Sequence, residues 1–516
     1  MYDLLIKNGL IINGTGSPSF HGDIGICGGK IARIGQGLEG GKTVIDATGL
    51  TVTPGFIDSH SHSDSAMLEF PELLEKIEQG ITTSIAGQCG SSPAPISRDA
   101  DPNDAKQVGT LGRYNDVYRT FGTFLDTAKD LTYGSNTVPL VGHSALRKAA
   151  MGMENRVPTA AELEKMKALL EEGMDHGALG VSFGLIYAPG CYAQTDELIE
   201  IAKVVGARHG VVAAHIRNES DMLVQSVEEF ITVIRASGAR GVISHHKSSG
   251  KNNWGKVHGT LRMIDKANAE GLDIYCDVYP YIASNTSLTA SFVPAAKRAL
   301  GTVNVLKDPV QREEIKEWNR KRRTGDLSWV QISSCRAFPQ YEGLRIPEIA
   351  RQMGVDEYEA VFNLIVGSND NANACYFTMC EEDVETVMAH PRAMICTDSG
   401  VARNNAVFHP RLKASFPRAL GHYVRERGVT SLPEMIRKMT SMPASVYGLP
   451  TKGLIWEGMD ADLCIFDAQT IRDKAEFTAC NQRAEGLNYV ILGGEIAVKD
   501  AVYQGAKTGR LLLRQR

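Results

Sequence analysis

The sequence predicts an α/β chain: a TIM-like (β/α)8 barrel, a small β-sandwich domain built from both termini, and an insertion before the last barrel strand. Three observations predict it. Short apolar strand candidates alternate with helical patterns eight times through the middle of the chain. Both termini carry short strands broken by Gly and Asn turns. A long charged stretch separates the seventh strand candidate from the eighth.

In chain order, residues 1–55 hold strand candidates such as Leu4 to Ile6 and Lys30 to Ile34. Their counterparts, Asp462 to Asp467 and Tyr489 to Leu492, lie in 450–516, with Gly493-Gly494 as a hairpin signal. The two ends together make the predicted β domain, and 56–449 the barrel. Its strands read as Thr51 through His62, Thr82 to Ala86, Thr137 to Val141, Leu179 to Phe183, Val211 to His215, Gly241 to His245, Asp273 to Asp277 and Ala393 to Asp398. Between them, Thr159 and Glu162 form a capping box ahead of Leu163, Met166, Leu169, Leu170 and Met174. Ser220 is the expected cap of a helix whose inner face is Val224, Val227, Phe230, Ile231 and Ile234. The insertion, 286–390, reads as a lid with a helix from Gln311 to Arg323.

Bulk properties exclude several classes of function. A formal net charge of −5 and a pI near 6.3 leave no basic excess for nucleic acid or an anionic membrane. No apolar run approaches the ~20 residues that span a bilayer, and the start lacks a basic region followed by an apolar core. The expected compartment is the cytoplasm and the expected partner a small molecule; oligomeric state is not encoded visibly. Ten cysteines without a CxxC pair read as reduced thiols, Cys89 excepted.

The polar, metal-capable residues fall at the ends of the proposed strands, the catalytic face of this architecture. His60 and His62 are two apart on a strand, so both imidazoles leave one face. Cys89 ends the second strand among small and polar neighbours, where a thiolate could ligate one zinc or bridge two, against the plain reading of a packed, inert thiol. His215 and His245 end the fifth and sixth strands. Asp398 ends the eighth, as a helix cap or as a metal ligand and general base. Each alone has a bland structural reading; the joint pattern points to one or two bound zinc ions. His246 alternates away from His245 and is expected to be structural.

With PGFIDSHSHSD at 54–64, the strand-end pair His215 and His245, Asp398 in CTDSG and the late run GMDADLCIFD at 458–467, the chain resembles the amidohydrolase superfamily. The fourth strand, where many two-metal members place a carboxylated Lys, has none here. Cys89 together with GLIYAPG, AHIRNES, SHHKSSGKNNWG, DVYPYIASNTSL and HPRLKASFPRALG is similar to the N-acyl-D-amino-acid deacylases. That resemblance implies zinc-dependent hydrolysis of N-acyl-D-amino acids. Cys89, His215 and His245 would hold the tighter zinc, and His60, His62 and Asp398 a second. It also implies a substrate with a free carboxylate, anchored by Arg411 and Lys247, with Tyr187, Tyr279 and Ser284 as hydrogen-bonding partners. His143 and Arg147 in GHSALR are expected either to touch substrate or to make a structural hydrogen bond. Phe183 departs from the small polar residue many members carry. Two alternatives stand beside this reading: a cyclic amidase of hydantoinase or dihydroorotase type, weakened by the missing Lys, and a non-catalytic scaffold.

Overall fold

The computed structural model describes residues 1–64, 66–96, 119–401 and 409–514. Eight parallel strands run through the middle of the chain. They are β1 (Phe56–Asp58), β2 (Ile81–Ala86), β3 (Asn136–Pro139, continued by Val141–Gly142), β4 (Gly180–Gly184), β5 (Val211–His215), β6 (Arg240–Ile243), β7 (Ile274–Val278) and β8 (Ala393–Ile395). β1, β2 and the first part of β3 form one parallel sheet; the second part of β3 through β8 form another, so β3 joins the two. The outer members also meet. Ser61, past β1, pairs in parallel with Ser399, past β8, and the Asp398 N–H donates to the His60 carbonyl at 2.9 Å.

Both faces of these strands are apolar, which is why they read as continuous hydrophobic runs. On one face Ile57, Ile85, Leu140, Ala213, Val242 and Met394 converge, closed off by Met442, Val446, Tyr447 and Leu449. On the other, Val181, Val212, Ala214, Ile243 and Cys276 meet the helices. Helix Ala160–Asp175 starts at the expected capping box, Thr159 with Glu162. Helix Leu223–Ser237 corrects two expectations. Ser220 does not cap it; Asn218 Oδ1 gathers the N–H groups of Ser220 and Met222 instead. Its buried face is Leu223, Val227, Phe230, Ile231 and Ile234, and Val224 is exposed, because a 3.6-residue period from 227 reaches 223 and not 224.

The first strand expected, Thr51 through His62, is two strands in two sheets. Thr51–Pro54 pairs with Leu463–Phe466, and β1 pairs with β2. The chain changes sheets at Gly55, where a Cβ would lie 2.2 Å from Thr82 Oγ1, so only glycine fits. The terminal strands differ from the expected sandwich in that they hydrogen-bond into one nine-stranded sheet. Tyr2–Ile11 ties it together: its first half pairs with Gly41–Asp46 and its second with Thr51 and Val52. Residues 511–514 lie outside that sheet. Leu512 N–H donates to Thr137 O at 2.8 Å and Arg514 N–H to Gly177 O at 2.9 Å, binding the tail to the parallel strands.

The insertion has its own core, from Leu288 and Phe292 through Val330 and Phe362 to Tyr376. A three-stranded antiparallel sheet, with Asn373–Tyr376 between Ser284–Ser287 and Val330–Ser334, carries it. Helix Glu381–Ala389 sends Val384, Val387 and Met388 into the main core. Among the described residues no helix is long and apolar enough to cross a membrane.

Candidate metal centre

Strand ends deliver six donor side chains to one place. His215 is the last residue of β5; His60, Cys89, His245 and Asp398 follow β1, β2, β6 and β8 by two or three residues. Cys89 Sγ is the hub. It lies 3.3 Å from His60 Nε2, 3.4 Å from His245 Nε2 and 3.6 Å from His215 Nδ1. Asp398 Oδ1 is 3.2 Å from His62 Nε2 and 3.5 Å from His60 Nε2. The donors fall into two groups that could each hold a cation: Cys89 with His215 and His245, and His60, His62 and Asp398 with Cys89 shared between them.

The backbone is bent to achieve this. Cys89, His245 and Asp398 all sit at positive φ, at 52°, 36° and 47°. Such conformations cost non-glycine residues about 1–3 kcal/mol each and persist where surrounding structure enforces them. Here β1 and β8 are clamped by a buried ion pair. Lys76 Nζ donates to Asp58 Oδ2 at 3.0 Å, to Thr397 Oγ1 at 2.8 Å and to the Ser399 carbonyl at 2.8 Å. Asp58 Oδ1 accepts the Thr397 N–H at 2.8 Å. Lys76 and Asp58 are both wholly buried. Breaking such a pair from one side costs about 3–5 kcal/mol. Lys76→Met is therefore expected to lower unfolding free energy by that order in denaturant titrations; a loss under about 1 kcal/mol would remove the clamp from this account.

The electrostatics fit a thiolate–imidazole metal site. Burial pushes the Cys89 thiol well up, and Asp398 adds to it. Burial also drives His60 well down and His215 down to about 3, leaving their ring nitrogens neutral. A buried sulfur among neutral imidazole lone pairs is a soft donor set that suits zinc over magnesium or calcium. Within the donor set two buried ring nitrogens, His60 Nδ1 and His215 Nε2, lack a hydrogen-bond partner. Each faces a carboxylate beyond bonding range: Asp277 Oδ1 at 3.9 Å and Glu219 Oε2 at 3.7 Å. Burial raises Asp277 to about 6.

Around this core the other expected site residues divide. Arg411 Nη1 donates to Asp398 Oδ2 at 2.7 Å, and Nη2 to the Asn285 carbonyl at 3.4 Å. Burial pushes the Asp398 carboxyl up, but Arg411 and the imidazoles outweigh it and hold it well below the usual carboxylate range. Lys247 Nζ is 2.7 Å from His245 Nδ1. The Tyr279 ring lies under both cations, 4.7 Å from Arg411 Cζ and 5.6 Å from Lys247 Nζ. Tyr187 sets its ring edge on His215, with centroids 5.2 Å apart, and its hydroxyl 3.0 Å from Thr286 Oγ1. Ser284, half-buried, begins the insertion strand that includes Asn285. His143 Nε2 lies 2.8 Å from Glu197, where Arg147 also bonds, and its Nδ1 is buried without a hydrogen-bond partner. His246 turns away to Thr260 Oγ1 at 2.8 Å. The sequence reading missed Asp58, Lys76, Asp277 and Glu219. Asp58, Asp277 and Glu219 stood in quoted motifs near strand ends, the one signal available for them; Lys76, on the short helix Leu74–Ile77, carried none.

A family model described as the amidohydrolase family matches residues 43–498. The chain is 34% identical over 514 residues to the D-aminoacylase of Alcaligenes xylosoxydans xylosoxydans, covering 99% of this chain and 98% of that one. It is 35% identical over 516 residues to the N-acyl-D-glutamate deacylase of the same organism, covering 99% and 96%. A crystal structure of N-acyl-D-glutamate deacylase from Bordetella bronchiseptica is similar at a TM-score of 0.86 and 32% identity, with 100% of both chains covered. That structure holds zinc and a phosphonate inhibitor that mimics the tetrahedral intermediate.

Proposed function

The chain belongs to the amidohydrolase family, and from that premise we propose that it hydrolyses the amide bond of N-acyl-D-amino acids with zinc, giving a carboxylate and a free D-amino acid. The observation that carries this reading is the buried Cys89 sulfur within 3.3–3.6 Å of three imidazole nitrogens from separate strands. We read the eight parallel strands as a closed (β/α)8 barrel, which explains why the donors gather at one rim. The terminal sheet is a separate small β domain in this reading, and the insertion from 286 covers the rim.

Cys89, His215 and His245 would hold the tighter zinc, and His60, His62 and Asp398 a second. Zinc bound there would supply polarisation of the scissile carbonyl and a water that is nucleophilic at neutral pH. The chain's own residues do the rest. Arg411 and Lys247 reach cations toward the substrate's α-carboxylate, with Tyr187, Tyr279 and Ser284 alongside. A guanidinium meets a carboxylate bidentately, which fixes the amide relative to Asp398. Asp398 Oδ1 takes the proton from the attacking water and returns it to the leaving amine.

A screen of N-acetylated D- and L-amino acids tests this directly. Turnover of D substrates is expected, abolished by chelator and restored by zinc. Activity confined to L substrates, or to a cyclic ureide, would overturn the assignment.

A further inference from the structure

Glu219 has no part in the roles assigned so far, yet its carboxylate faces both imidazoles of the Cys89 group on the side away from the sulfur. It follows β5 by four residues, and its own carbonyl accepts the Ser249 N–H at 2.7 Å. Glu219 Oε1 is 3.0 Å from His245 Nδ1, and Oε2 is 3.7 Å from His215 Nε2. The opposite nitrogens, His245 Nε2 and His215 Nδ1, are those turned to Cys89 Sγ. A ligating nitrogen must offer a lone pair, so in a neutral ring the proton belongs on the other nitrogen. In both rings that other nitrogen faces Glu219.

Lys247 makes this a contest at His245. Its Nζ lies 2.7 Å from Nδ1. An ammonium has three donors and no acceptor, so it can bond Nδ1 only when that nitrogen is bare. The ring proton would then sit on Nε2, aimed at Cys89, and Nε2 could not ligate. Glu219 Oε1 is the nearest competing acceptor, 2.5 Å from the same Nζ. It can take a proton from Lys247 and another from Nδ1–H, because a carboxylate oxygen accepts more than one hydrogen bond.

We propose that Glu219 is a positioning residue that competes with His245 Nδ1 for the Lys247 ammonium and so favours the metal-ligating tautomer of His245. This rests on the assignment of Cys89, His215 and His245 as a zinc site. Carboxylates that orient ligating histidines are worth about 10–100-fold in metal affinity. Glutamine at 219 is uncharged and turns one of its two sites into a donor, so it competes less well for the ammonium and for the His245 ring proton.

The test is the zinc dissociation constant, measured by competition with a chromophoric chelator on the folded full-length chain. Glu219→Gln is expected to weaken zinc about 10–100-fold. Adding Lys247→Met to it removes the competing donor and is expected to recover at least about tenfold of that loss. Lys247→Met alone, with Glu219 in place, is expected to bind zinc within about threefold of the parent while KM rises; it keeps the test open if Glu219→Gln fails to fold. Zinc binding by Glu219→Gln within about threefold of the parent, no recovery in the double variant, or a loss beyond about tenfold in Lys247→Met would each overturn the inference. A parent that binds no zinc at all would instead overturn the site assignment on which it rests.

Discussion

Cys89→Ala is expected to lose tightly bound zinc and to lower kcat/KM for an N-acyl-D-amino acid by about three orders of magnitude or more, since the metal supplies several kcal/mol of transition-state stabilisation and each 1.36 kcal/mol is tenfold. The size follows from position. Cys89 belongs to both donor groups, so one substitution reaches every candidate cation position described here. The histidines are less exposed to this argument, because each belongs to one group only and removing any one leaves the other group complete. Burial keeps the metal-free thiol protonated at neutral pH, so zinc has to displace a proton to bind. The parent's apparent affinity should therefore rise with pH, by about tenfold per unit for each proton displaced, and fall as pH is lowered. Cys89→Ala should bind weakly and lose that proton's share of the slope. Metal analysis of purified protein, with chelator competition at several pH values, reads both effects; an alanine variant that retains zinc and turnover would remove Cys89 as the hub.

How much of this was legible in the sequence follows from how each feature is encoded. The parallel strands were visible because burial on both faces writes them as unbroken apolar runs, such as Val211 to Ala214. The six donors were visible because a strand end is a definite place: an imidazole or thiol directly after an apolar run stands out. What stayed hidden depends on pairs remote along the chain. The sheet change at Gly55 is set by Thr82, and only the packed structure brings them within reach. Lys76 reads as one more charged residue on a short helix; that it is wholly buried against Asp58 and Thr397 is a fact of tertiary packing. Helix Glu381–Ala389 has the polar texture of the segment before it, and only packing shows that Val384, Val387 and Met388 serve the larger core. His143 had two roles open in the sequence, and its bond to Glu197, 54 residues on, is a tertiary contact that the sequence does not announce.

Asp398→Asn is expected to keep the zinc of the Cys89 group and lose about 10²–10⁴-fold in kcat, the range of a positioned general acid–base. The two oxygens of Asp398 have separate work: Oδ2 holds Arg411 at 2.7 Å, and Oδ1 faces His62 Nε2 at 3.2 Å. Asparagine can serve Arg411 only through its carbonyl, since its amide would set donor against donor. That choice fixes the amide toward His62, where it donates to Nε2 and occupies the lone pair with which His62 would ligate. The variant therefore separates two functions. Zinc stoichiometry should fall toward one, because the His60, His62 and Asp398 group is weakened while Cys89, His215 and His245 are untouched. KM should stay within a fewfold, because Arg411 keeps its place; a rise in KM with kcat preserved would show that Asp398 acts through Arg411. Near-normal kcat at full zinc occupancy would remove Asp398 as the proton acceptor and leave the proton to another group at the rim. Only a loss confined to kcat, with one zinc retained, matches a carboxylate that handles the proton itself.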